Sequence, residues 1–207
     1  MNAWSRVPEL LASHVLLAAA ALLLGLAVSL PLSVWAARNR HVARVVLGVA
    51  SLVQTIPALA LLAVLIPLTG RIGVVPAFIA LALYALLPIV RNTHTALTQI
   101  SRGMKDAARS LGLEERTILT RIELPLAADT IMAGIKTSAV INVGTATIAA
   151  FIGAGGYGER IVTGLALSDH AMLLAGAIPA AVLALAIEGG FRVAERRVVP
   201  QGLRYTR

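Results

Sequence analysis

Five long apolar stretches of this chain carry no Asp, Glu, Lys or Arg: Val15–Ala37, Val45–Gly70, Ile72–Val90, Thr137–Gly158 and Ala171–Ile187. A backbone placed in hydrocarbon must pair its own N–H and C=O groups, so runs of this kind become helices. About 20 residues rising 1.5 Å each cross a hydrocarbon core of about 30 Å. The pattern therefore predicts an all-α integral membrane protein with five transmembrane helices. The fifth run is short, and Glu188 or Arg192 can snorkel at its end. Composition agrees: 58% of the 207 residues are hydrophobic and 14% charged, against about 45–50% and about 25% in soluble domains.

The first run is too long for the apolar part of a secretory signal and is followed by another span, so it is read as a retained helix. Residues before about His14 are expected as a short exterior lead-in with Trp4 at the interface. The absence of cysteine excludes disulfides and thiolate metal sites. A net charge of +8 suggests nucleic acid in a soluble protein, but here its distribution follows topology. Arg38, Arg40 and Arg44 lie between spans one and two. Arg91, Arg102, Lys105, Arg109, Arg116 and Arg121 lie between three and four, and Arg192, Arg196, Arg197, Arg204 and Arg207 lie in the tail. The other side holds Arg6, Arg71 and Arg160. Because basic residues stay in the cytoplasm, the N-terminus is expected outside and the C-terminus inside.

Only the connection at residues 91–130 is large, and the whole chain, 1–207, reads as one domain around it. Met104, Ala107, Ala108 and Leu111 recur at i, i+3, i+4 and i+7, predicting a short amphipathic helix. Gly112 then stands where a helix C-cap takes left-handed dihedrals. A second short helix is expected to start near Glu114 and Glu115, whose charges suit an N-terminus, and to end at Pro125. An amphipathic helix in the cytoplasm must lay its apolar face on headgroups or in a partner's groove.

Asp106-Ala107-Ala108, Gly112 and Ile122-x-Leu124-Pro125 resemble the EAA loop of the membrane subunits of bacterial ABC importers, with Asp in place of the usual Glu. The resemblance implies a type I importer permease fold in the bacterial inner membrane. It also implies that Asp106, Ala107, Ala108, Leu111, Gly112, Ile122, Leu124 and Pro125 form a coupling element docked on a separate ATP-hydrolysing subunit. Gln54-Thr55-Ile56-Pro57 and the Gly-rich stretch from Gly144 to Gly158 narrow the likeness to permeases for glycine betaine, carnitine and choline. Methionine-type permeases share the five-span plan. The implied partners are an ABC ATPase that carries ATP and Mg, an extracytoplasmic solute-binding protein, and a second copy or similar permease.

The residues themselves support a partner ATPase. A P-loop needs Gly-x-x-x-x-Gly-Lys-Ser/Thr to hold phosphates, and neither Lys105 nor Lys136 follows a glycine. No cofactor is therefore expected on this chain. His14, His41, His94 and His170 are scattered, with no His-Glu-x-x-His spacing for a metal, and no Gly-x-Ser-x-Gly elbow is present. A transport subunit, not an enzyme, is the expectation, with a self-sufficient channel or secondary transporter, its basic loop only a topology anchor, as the rival reading.

Two readings stay open for the polar residues within spans. Gln54, Thr55 and Pro57 either line the solute path or form a kink whose polar atoms bond to a neighbouring helix. Asn142 and Thr145 either contact the solute or hold span four against its neighbours, beside small residues such as Gly134 and Ala139. Phe151 begins a Gly-rich stretch that serves as an outer gate or as a plain exit turn. Lys136 and Glu188 are expected near the inner boundary, snorkelling or paired with each other.

Overall fold

The computed structural model describes residues 6–198, and every regular element among them is helical. Trp4, Arg204 and Arg207 lie outside the described residues. Helix α1 is Val7–Arg38, so the expected lead-in is already helix. Pro8 sits in its first turn, where a missing N–H costs nothing.

The second apolar run is not one continuous helix. It divides into α2 (Arg40–Thr55) and α3 (Ala58–Thr69), bent by 105°. Pro57 has no N–H to continue the ladder, and it forces Ile56 out of the helical region, to φ −73° and ψ 125°. Helix α4, Val74–Gln99, runs past the end of its charge-free stretch. After α5 (Arg102–Ser110), α6 (Glu115–Ile118) passes through a π-helical stretch, Leu119–Glu123, into α7, Leu124–Ala149.

The 91–130 connection is thus smaller than its sequence suggests. Only about Ile100 to Glu114 leaves the long helices, because Glu115–Ile152 is one 38-residue helical run. Pro125 does not end the second helix as expected. It occupies the first turn of α7, just after a wide turn in which the Leu124 N–H bonds to Leu119 O, five residues back. The chain closes with α8 (Gly158–Leu167) and α9 (His170–Val198).

Four of these helices are long and apolar enough to cross a membrane singly, and the bent pair, counted as one broken span, brings the number to five. Helix α4 is the centre, packed on α1, α7, α2 and α3 around Leu17, Leu62, Ala77, Leu81 and Ala146. Its most apolar stretch is 61% buried within the chain, against 17% for α9, so α9 turns most of its surface outward. Small residues permit the close central packing. A Cβ on Gly25 would lie 2.8 Å from that of Ala85, and one on Gly134 would lie 2.8 Å from Pro88 O. The Ser138 hydroxyl donates to Ala85 O at 2.9 Å across the same contact.

Candidate functional site

Helix α5 forms for local reasons. Ser101 caps its start, accepting the Met104 N–H on its hydroxyl at 3.3 Å. At the other end Gly112 takes φ +79°. Its N–H bonds to Arg109 O at 2.9 Å while Leu113 N–H reaches Ala108 O at 3.2 Å, the paired bonds of a Schellman cap. The apolar stripe faces two ways. Ala108 is buried, whereas Met104, Ala107 and Leu111 stay open, Leu111 at 81% exposure.

Arg109 connects this helix to the next, 2.9 Å from the Asp106 carboxylate and 2.6 Å from that of Glu115. The Glu115 hydrogen bond, then its charge, then Asp106 hold the guanidinium above its ordinary range. Of the remaining loop positions, Ile122, Leu124 and Pro125 are half-buried, and Leu124 packs with Leu97, Ala127 and Ile131.

Beneath α5 lies a cluster that the sequence reading missed. The Glu123 side chain is 1% exposed and sits 2.5 Å from Arg38 Nη2 and 2.8 Å from Lys105 Nζ. Lys105 also donates to Leu97 O at 3.1 Å, and Arg38 approaches Glu115 at 4.0 Å. One signal was available. Glu123 stands four residues before Ala127 and eight before Ile131, in line with the inward face of α7, where an apolar residue would be expected.

At the break between α2 and α3 the freed polar groups find partners. The Tyr84 hydroxyl donates to Ile56 O, and Gln54 Nε2 donates to Tyr84 O at 3.1 Å. Thr55 bonds back to Leu52 O at 2.7 Å. Thr55 and Pro57 are exposed on this chain.

The opposite end of the helices is organised by His14, fully buried. Its Nδ1 accepts the Tyr157 N–H at 3.3 Å, and its Nε2 stands 3.1 Å from Val143 O. With Nδ1 accepting, the proton belongs on Nε2, where it serves the carbonyl. Asn142 is enclosed within the chain, its Nδ2 3.5 Å from Ala18 O, so its amide faces helix packing. Thr145 is half-buried and Phe151 is 54% exposed. Lys136 pairs with Glu195 at 3.8 Å and Glu188 with Arg192 at 3.4 Å, not with each other. Among the described residues no group of three or more His, Asp or Glu could hold a metal ion.

The family model described as "Binding-protein-dependent transport system inner membrane component" matches residues 29–200. The chain is 40% identical to the choline transport system permease protein OpuBB of Bacillus subtilis, over 92% of this chain and 87% of that one. It is 40% identical to the carnitine transport permease protein OpuCB of Listeria monocytogenes, over 94% and 88%. It is 41% identical to the osmoprotectant import permease protein OsmW of Salmonella typhimurium, over 92% and 91%. A chain of the MetNI methionine ABC transporter, solved in an inward-facing conformation, superposes with a TM-score of 0.83 at 21% identity, covering 94% of this chain and 96% of that one. That likeness shows the fold of a type I importer permease.

Proposed function

The chain belongs to the family of binding-protein-dependent transport system inner membrane components, and on that premise we propose that it is the permease subunit of an ATP-driven importer of osmoprotectants such as choline, carnitine or glycine betaine. The relatives' names support the solute class. The observation that carries the coupling role is the open apolar face of α5, where Met104, Ala107 and Leu111 project from a helix capped firmly at both ends. A cleft on a separate ABC ATPase, which binds ATP and Mg, takes that face. Asp106 remains tied to Arg109 and presents its second oxygen to the partner.

The charge distribution supports an outside N-terminus, which puts α5 in the cytoplasm. Five spans enclose no path by themselves, so a second copy or a similar permease completes it, and an extracytoplasmic binding protein delivers the solute. Thr55, Pro57, Thr145 and Phe151 are the path candidates with surface to offer, whereas Gln54 and Asn142 act through packing. The coupling loop and five spans work as one permease domain.

The test is a mild-detergent pull-down of the tagged chain from its native membranes, followed by mass spectrometry and solute uptake in proteoliposomes. A P-loop ATPase is expected to co-purify. Leu111→Asp is expected to cut its recovery by roughly 30-fold, the loss of one interface hot spot of about 2 kcal/mol, with the permease still in the membrane. ATP-independent uptake by the chain alone would defeat the proposal. Uptake of methionine in place of choline, carnitine or glycine betaine would defeat the solute assignment.

A further inference from the structure

The attachments of α5 to the body of the protein are few. Its chain connections lead to α4 through Ile100 and Ser101 and to α6 through Leu111–Glu114. Neither reaches α1. Ala108 is its buried apolar residue. The remaining attachments are Arg109, which pairs with Glu115 of α6 at 2.6 Å, and Lys105, whose ammonium lies between Leu97 O at the end of α4, at 3.1 Å, and the Glu123 carboxylate at the base of α7, at 2.8 Å. The other oxygen of that carboxylate holds Arg38, the last residue of α1, at 2.5 Å. One buried carboxylate thus stands where α5, α1 and α7 meet, with α4 one hydrogen bond away.

Such a group is costly to bury unless fully paired, and its two cations come from elements that do not follow one another in the chain. An ionic link of this kind is short and its carboxylate lies out of solvent, so a displacement of α5 carries Glu123 and Arg38 with it instead of being absorbed by sliding apolar contacts. We propose that Glu123 is a positioning residue for energy coupling: it locks α5 to α1 and α7, so that a movement imposed on α5 reaches these spans together. This rests on the reading of α5 as the ATPase-docking helix.

The test uses the complete transporter in proteoliposomes, with ATP hydrolysis and solute uptake measured on the same vesicles. Glu123→Gln removes the charge and keeps the shape. It is expected to leave ATP hydrolysis within about twofold of wild type while uptake per ATP falls by about tenfold, within the range of ordinary coupling between sites. Glu123→Asp, which keeps the charge, is expected to recover much of the ratio. Should Glu123→Gln fail to assemble, Arg38→Gln breaks the link to α1 and leaves the Glu123–Lys105 pair intact, and the same loss of ratio is expected. An unchanged ratio in an assembled variant, or hydrolysis and uptake falling together, overturns the proposal while leaving the coupling-loop reading in place. A wild-type complex that imports without hydrolysing ATP overturns both.

Discussion

Two short helices flank the spans at opposite ends, and they are attached by different means. Helix α8 is set backbone against backbone. A Cβ on Gly158 would lie 2.0 Å from Thr147 O, one on Gly164 would lie 2.5 Å from Leu173 N, and one on the facing Gly176 would lie 2.6 Å from Tyr157 O. Helix α5 makes no such approach: neither Gly103 nor Gly112 has anything within 4 Å of an added Cβ, and its main hold is the Lys105–Glu123 ion pair. Contacts between backbones cannot be relieved by rotating a side chain, so α8 moves only with α7 and α9. The ion pair instead hands a movement of α5 to Glu123 and through it to Arg38. The molecule has a fixed end and a handle.

The largest effect should come from breaking the fixed end. Gly158→Val places a branched side chain where Thr147 O already stands, and overpacking of this kind costs about 1–3 kcal/mol or more. Loss of a monodisperse peak in detergent size-exclusion chromatography is expected, and a normal peak with unchanged melting would refute the contrast. His14→Ala comes next. It strands the Tyr157 N–H, a buried group whose desolvation costs about 1–3 kcal/mol, and removes a second bond to Val143 O, which keeps its place in the α7 ladder. A lowered melting temperature is expected, with ATP hydrolysis by the detached partner unaffected. Smallest is Gln54→Leu, which removes one bond to Tyr84 O. Hydrogen bonds between membrane helices average about 0.6 kcal/mol, so melting should barely move. A large drop would mean that the Gln54–Tyr84 pair, and not Pro57, holds the break.

The span positions were legible because lipid imposes a blunt rule on any helix that crosses it, and four of the five charge-free runs lie largely on single long helices, the second run alone being broken. Gly112 and the apolar stripe of α5 were legible because caps and faces are local, whereas the inward turn of Ala108 within that stripe was not. What escaped the sequence depends on distant partners. Pro57 announces a break but not the partner that takes up its freed carbonyl, Tyr84, 28 residues away from Ile56. His14 looks like a stray residue before a span until Val143 and Tyr157, 129 and 143 residues away, close around it. Glu123 looked like one charge among many in a charged loop. Its burial appears only when Arg38, 85 residues earlier, folds back onto it.

The π-helical stretch at Leu119–Glu123 also sets a phase. Ile118 and Glu123, both buried, are five residues apart, while Glu123, Ala127 and Ile131 follow at steps of four. An ordinary helix turns about 100° per residue, so without the wide turn Ile118 and Glu123 could not share a side. The wide turn absorbs one surplus residue, so that a segment that answers to α5 and one that answers to the lipid keep a common face. Taking that residue out would leave Ile118 and Glu123 four positions apart on an ordinary turn, still aligned, whereas straightening the wide turn with the residue kept would twist the two apart.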